Sequence, residues 1–300
     1  MRTQVSFARR GREAAPYLFI APFFVLFATF GLYPLLRTAW LSLHRWDLLA
    51  GPVEFTGLAN YARLFADPFF YNALANTASI FLVGAVPQLV AALGIAALLD
   101  RPLRGRTAWQ AVVLLPNVVP VVAVALVFTQ LFMRDHGLVA RILSALGAGP
   151  LDWQAHAWSA HLGVAIMVLW RWTGYHALLY LAAMQSVPRE LHEAAALDGA
   201  SRARSFRSVT LPGIRPTLLF TAVVSTIGGV QLFTEPRLFG GTSTGGNDRQ
   251  FQTLVMYLHE RGFEQLDAGY AATISWVLFA LCALVALGNT ALVRRLVGRW

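Results

Sequence analysis

Six runs of mostly apolar residues, at 17–36, 78–99, 108–133, 157–184, 217–234 and 270–293, constrain this chain more than any other feature. Each is close to the ~20 residues that a helix needs to cross a bilayer core. In lipid, every backbone N–H and C=O must be bonded within its own segment, so runs of this kind become helices. Hydrophobic residues make up 57% of the chain and charged residues 13%, against a usual charged share of about 25%. Disorder requires low hydrophobicity and is excluded. There is one cysteine, Cys282, inside an apolar run, which excludes a disulfide scaffold and a cysteine-based zinc site. The first run is too long for a signal-peptide core and no small-residue cleavage site follows it, so it reads as a retained helix. The expected fold class is an all-α membrane protein with six transmembrane helices.

All 24 basic residues are arginine. A Walker A phosphate loop needs a lysine, so this chain is not a conventional P-loop ATPase by itself. Lysine Schiff-base chemistry is excluded in the same way. If ATP drives the protein, another subunit holds it. The arginines also set the orientation. With the N-terminus in the cytoplasm, fifteen of the 24 fall in the N-terminal arm, the 185–216 loop, the loop around Arg104 and the tail, and seven fall outside. The positive-inside rule therefore predicts that both termini are cytoplasmic. The expected organisation is a cytoplasmic arm at 1–16, a membrane domain at 17–293 and a cytoplasmic tail at 294–300. The net charge of +9 is spread over helix flanks and forms no single basic face, so no nucleic-acid partner is expected. Pro22, Pro34, Pro87, Pro116, Pro120 and Gly228-Gly229 interrupt the runs. Such residues suit helices that kink or line a cavity, and are also ordinary in membrane helices.

The polar stretch 185–216, QSVPRELHEAAALDGASRARSFRSVTLPGIRP, reads as helix, turn, helix. Pro188 suits a first turn, and Glu190 and Glu193 lie early, where the helix dipole favours acids. Gly199 suits the stop, Ser201 the cap of a second short helix, and Pro212 its end.

Within that stretch, Glu193-Ala194-Ala195, Gly199, Val209 and Leu211-Pro212 stand at spacings that resemble the EAA loop of binding-protein-dependent ABC importer permeases. Val209 replaces the family's usual isoleucine; Asp198, Ala200, Phe206 and Pro216 also fit the pattern. Phe55, Gly57-Leu58, Asn60-Tyr61, Leu64, Asp67, Ala73-Leu74 and Asn76-Thr77 resemble the first-loop pattern of carbohydrate-type permeases. Phe233-Thr234-Glu235-Pro236 resembles the maltose and glycerol-phosphate uptake permeases. The resemblance covers nearly the whole chain and implies the type I ABC importer permease fold. It implies a transport subunit rather than an enzyme, in the cytoplasmic membrane of a bacterium. It also implies a sister permease, two ABC ATPase subunits that hold ATP and Mg, and an extracytoplasmic solute-binding protein docking on loops 43–77, 134–156 and 239–269. No cofactor is expected in this chain. The implied coupling residues are Glu190, Glu193, Ala194, Ala195, Asp198, Gly199, Phe206, Leu211 and Pro212.

The seven histidines are scattered and no catalytic constellation emerges. Arg171 lies near the middle of the fourth run, where an ionisable group is a functional candidate by default. It reads either as a pathway residue or as a structural pin, with Glu235 as a candidate partner about 10 Å away in depth at 1.5 Å per residue. A sugar site wants aromatic platforms beside hydrogen-bonding groups. Arg171, Trp172, Thr173, Gly174, Tyr175 and Tyr180 on the fourth run, and Ser225, Gly229, Gln231, Phe233 and Glu235 on and after the fifth, are the expected pathway residues. The cargo implied by the resemblance is a sugar, most simply a di- or oligosaccharide. The alternative is an ion- or proton-coupled secondary transporter, which would need carboxylates at mid-span. An intramembrane enzyme lacks a nucleophile or metal cluster.

Overall fold

The computed structural model describes residues 17–147, 149 and 151–297. The expected arm at 1–16 and the last three residues of the expected tail lie outside them. Contacts divide the described chain into two units. One comprises the residues up to Phe65 together with Arg261–Trp276; the other comprises Ala66–Glu260 together with the residues from Val277 on.

The first unit starts with helix α1, Tyr17–Ser42. A wide π-type turn at Ala28–Leu32 precedes Pro34, and the helix continues past that proline as Tyr33–Ser42. None of α1's apolar window is buried within the described chain. Strand β1 (His44–Asp47) pairs antiparallel with β2 (Gly51–Phe55). The Asp47 carboxylate accepts from the Ala50 and Leu49 N–H groups, each at 2.8 Å. Those bonds close the turn and hold the Asp47 carboxyl below the usual carboxylate range. Helix α2 (Ala59–Phe65) follows. Its Asn60 amide donates to the Ser42 and His44 carbonyls at 3.0 Å, which ties the hairpin to the end of α1. Arg63 meets Asp267 at 2.8 Å and stacks over the fully buried Tyr270 ring.

In the second unit, α3 spans Pro68–Leu99. It begins ten residues before the expected 78, because Asp67 caps it, accepting from the Phe69 N–H, and Pro68 fits its first turn. The polar Asn72 and Asn76 interrupt the apolar run but not the helix: both donate to the Arg249 carbonyl at 2.8 Å. Pro87 lies inside α3 without ending it. Helices α4 (Arg106–Val118) and α5 (Val121–Leu131) occupy the third expected run and are bent by 88° at the break around Pro120. Helix α6 is Leu138–Ala145 and α7 is Ala157–Gln185. Then come α8 (Arg189–Leu197), α9 (Arg202–Ser205), a π-type turn Phe206–Thr210, α10 (Leu211–Gly213), α11 (Arg215–Val230), α12 (Thr234–Gly240) and α13 (Leu254–His259). Helix α14 (Ala268–Val297) begins in the first unit and runs on into the second.

Among the described residues, four helices are long and apolar enough to cross a membrane: Tyr17–Ser42, Pro68–Leu99, Arg215–Gly240 and Ala268–Gly288. The bent α4–α5 pair makes a fifth if taken as one span. The remaining expected run, 157–184, is a helix of 29 residues. It is long enough, but His161, Arg171 and His176 dilute its apolar character.

The second unit's core is the α3–α7 pair. Ala92, Ala96 and Ala177 are fully buried, and a β-carbon at Gly84 would sit 3.5 Å from Ala165. Small residues let the two backbones approach, which is how membrane helices gain packing where lipid is as apolar as leucine. One cluster gathers Ala92, Ala96, Tyr180, Leu181, Met184, Val187 and Ile214; another gathers Ile80, Phe132, Trp153, Met167, Phe239 and Phe251.

Candidate functional site

Two features of the second unit are candidate functional sites: the segment from Pro188 to Ile214, and a cavity among α3, α7, α11 and α12.

In the segment, Pro188 is the N-cap of α8 and so sits one position outside the expected first turn. At the other end the Ala200 N–H donates to the Ala195 carbonyl at 2.9 Å and the Gly199 N–H to Ala196 at 3.0 Å. Gly199 has φ +74°, the left-handed conformation that reverses the chain there and that a β-carbon disfavours. Ser201 caps α9, accepting from the Arg204 N–H. His192 Nδ1 lies 3.2 Å from Ser205 Oγ and ties α8 to α9. Pro212 does not end the second helical piece as expected; it sits in the first turn of α10, a place that needs no N–H.

The two sides of this segment differ. Phe206, Val209 and Leu211 pack on the cluster of Tyr180, Leu181, Met184 and Ile214. At Gly213 a β-carbon would come within 2.8 Å of Val187, so the contact there is close. Glu190, Glu193, Ala194, Asp198, Gly199 and Pro212 are exposed and Ala195 is half-buried. Leu197 is 90% exposed and Leu191 52%. One face grips the protein, and the other presents leucines, small residues and carboxylates to something outside the chain.

The cavity has a volume of about 290 Å³. Arg171 of α7 faces Glu235 of α12, Nη1 to Oε1 at 3.8 Å. Both side chains are largely buried, at 21% and 7% exposure. A straight helix would have kept them apart. Helix α11 ends at Val230, the chain turns through Gln231, Leu232 and Phe233, and α12 starts at Thr234, which returns Glu235 toward α7. Arg171 Nε is buried and has no hydrogen-bond partner. The guanidinium lies 5.1 Å from the Trp172 ring centre, within the range of cation–π attraction.

Deeper in, Gln88 Nε2 of α3 lies 2.8 Å from His176 Nδ1, which is also 3.1 Å from the Trp172 carbonyl of its own helix. The other ring nitrogen, Nε2, lies 3.3 Å from Ser225 Oγ of α11. This chain of polar contacts joins three helices across an otherwise apolar lining of Ile80, Phe81, Ala85 and Val224. At Gly229 a β-carbon would meet the Phe81 ring at 2.3 Å, so only glycine lets α11 pass this close to α3.

Of the expected pathway residues, Arg171, Trp172, Ser225, Gly229, Gln231, Phe233 and Glu235 line this cavity. Four others do not. Thr173 bonds its own helix at the Leu169 carbonyl. Gly174 is where α4 crosses α7, with a β-carbon due 1.7 Å from the Val113 carbonyl oxygen. Tyr175 sits edge-on to Trp172 and His176. Tyr180 is buried in the core and shares a 2.7 Å hydrogen bond with Thr221. Gln88 and His176 were not expected in the site. Their signal was present in the sequence: a lone amide inside the second run, and a histidine five residues after Arg171.

The family described as binding-protein-dependent transport system inner membrane component matches residues 88–298. The lactose transport system permease protein LacF of Rhizobium radiobacter is 36% identical over 287 residues, covering 94% of this chain and 95% of that one. The arabinooligosaccharides transport system permease protein AraP of Bacillus subtilis (strain 168) is 34% identical over 285 residues, covering 92% and 87%. Among solved structures, a chain of a bacterial ABC transporter involved in the import of the acidic polysaccharide alginate superposes with a TM-score of 0.79 over 97% of this chain and 99% of that one. At 19% identity it is similar in fold.

Proposed function

The chain belongs to the family of binding-protein-dependent transport system inner membrane components, and we propose that it is the permease subunit of an ATP-driven ABC importer for a di- or oligosaccharide. It is a multi-pass inner membrane protein and a transport component rather than an enzyme. The observation that carries the cargo class is the end-to-end match to permeases named for lactose and arabinooligosaccharides. The cavity suits such a cargo, with Trp172 and Phe233 offering ring faces and Gln88, His176, Ser225 and Gln231 offering donors and acceptors.

In this reading α7 also spans the membrane and completes the six spans, its polar residues turned to the cavity rather than to lipid. Both termini are cytoplasmic, and 185–216 is the EAA loop. Helix α8 docks in a cleft on a cytoplasmic ATPase subunit. Leu191 and Leu197 are covered there, Ala194, Ala195 and Gly199 allow close approach, and Glu190, Glu193 and Asp198 face cations of the partner. Phe206, Val209 and Leu211 pass the movement to α3 and α7, because they are packed on the cluster those helices build. A sister permease completes the pathway, two ATPases bind ATP and Mg, and a solute-binding protein delivers the sugar from outside.

The test is purification of the tagged chain from its native membrane in mild detergent, with partners identified by mass spectrometry. A P-loop ATPase and a second EAA-bearing permease are the expected companions, and a disaccharide delivered by the binding protein is expected to stimulate ATP hydrolysis. Recovery of the chain alone across several detergents would overturn the assembly.

A further inference from the structure

The same fold occurs in a permease named for lactose and in a transporter of an acidic polysaccharide, so fold alone leaves the charge of the cargo open. The cavity of this chain has its own answer. Arg171 and Glu235 are the charged residues of its lining, and they face each other at 3.8 Å. His176, the other titratable residue of the lining, is held between Gln88 and Ser225. We propose that the Arg171–Glu235 pair makes this cavity a site for uncharged sugars and excludes anionic ones. This rests on the reading of the cavity as the sugar site.

The physical reason is desolvation. A carboxylate or sulfonate entering a lining this apolar loses hydration and needs a cation to replace it. Arg171 is the cation of the lining, and Glu235 already neutralises it and would repel an incoming anion at close range. A neutral hydroxyl is treated differently. A sugar oxygen can accept from the partly exposed Arg171 side chain, while the Glu235 carboxylate can accept from the neighbouring hydroxyl. At 3.8 Å the pair is looser than a charge-assisted hydrogen bond of about 2.8 Å, so a hydroxyl pair can bridge it without breaking a strong contact.

The experiment uses the complete importer complex in lipid nanodiscs without its solute-binding protein. Saturation-transfer NMR reads binding of two probes of similar size, lactose and digalacturonate. A complex carrying Gly228→Leu supplies the background, since a β-carbon at Gly228 meets nothing within 4 Å and the added side chain fills the cavity. Wild type is expected to bind lactose and to bind digalacturonate at least about tenfold more weakly. Glu235→Gln leaves Arg171 unpaired, and digalacturonate binding is expected to rise about tenfold or more. The double variant R171Q/E235Q has no charges and is expected to keep the preference for lactose, which separates charge from folding should the single variant be unstable. Equal or stronger binding of digalacturonate by wild type overturns the charge filter alone. Loss of all specific signal for lactose overturns the cavity as a sugar site, and the filter with it.

Discussion

Helix α8 leaves Leu197 90% exposed and Leu191 52% exposed, whereas the cavity leaves one guanidinium nitrogen, Arg171 Nε, without a partner. The difference bears on how each region can hold something. Covering a leucine side chain is worth about 1.5–3 kcal/mol, so α8 gains much from a permanent cover. The cavity's polar groups mostly satisfy one another, through Gln88, His176 and Ser225 and through Arg171 and Glu235. A ligand there exchanges one hydrogen bond for another, a net gain of only about 1 kcal/mol each. One surface suits a lasting contact and the other brief occupancy, as the proposed coupling and transport roles require.

The largest expected effect comes from breaking the lasting contact. Gly199→Asp places a β-carbon at φ +74°, at a cost of about 1–2 kcal/mol, and adds a second carboxylate beside Asp198. Glu193→Lys reverses a charge on the exposed face. Each is expected to abolish sugar uptake while the chain still reaches the membrane in normal amount. Unchanged uptake in a well-expressed variant would remove α8 from the coupling path.

Next is the ion pair. Arg171→Ala strands Glu235, whose side chain is 7% exposed. Leaving a buried carboxylate unpaired costs about 3–5 kcal/mol, and about 3 is expected because the pair is not fully buried and water can enter the space that Arg171 leaves. The readout is a lower thermal midpoint for the purified complex. The apolar pair R171M/E235L should recover that midpoint and still fail to transport. If Arg171→Ala unfolds at the wild-type temperature, the pair is not holding α7 to α12.

The two regions were not equally legible in the sequence. The coupling segment is local: Pro188, Gly199 and Ser201 punctuate it within a few residues, so its helix–turn–helix form follows from capping chemistry. Its two misplaced details are prolines: Pro188 is the N-cap rather than part of the first turn, and Pro212 begins a helical piece where it was expected to end one. The cavity is not local. The Arg171–Glu235 distance depends on the break at Gln231–Phe233, and straight-helix arithmetic put the two about 10 Å apart in depth. Gly174 and Tyr180 looked like pathway residues, but α4 crosses at the first and Thr221 pairs with the second. Which face of α7 looks inward is decided by its neighbours, and periodicity cannot tell a cavity from a core in a helix with apolar residues on every side. The start of α3 was hidden for a related reason. Asn72 and Asn76 look like the end of an apolar run, and are instead where the Arg249 loop is fastened to the helix.

A smaller effect isolates the exposed face of α8. Leu197→Ser changes a residue that touches little of its own chain, so stability should move by no more than about 0.5 kcal/mol. If an ATPase covers this leucine, losing its burial weakens the attachment by about 1.5 kcal/mol, or roughly tenfold. The comparison is the amount of ATPase retained on the tagged permease at increasing detergent. Equal retention would mean that Leu197 stays uncovered in the assembly and that α8 docks through another face.

The smallest effect tests whether the two regions are independent. Ser225→Ala removes a single 3.3 Å contact to His176 Nε2, and the freed ring nitrogen faces a cavity that water or sugar can enter. The expected loss is about 1 kcal/mol or less, seen as at most a fivefold rise in the sugar concentration for half-maximal uptake, by the same energy scale. ATPase retention should not change, because Ser225 lies apart from the cluster that anchors Phe206, Val209 and Leu211. A fall in retention would show that α11 carries strain from the cavity to the coupling segment even at rest. The contrast between a lasting contact and a transient one would then describe two ends of one element rather than two separate sites.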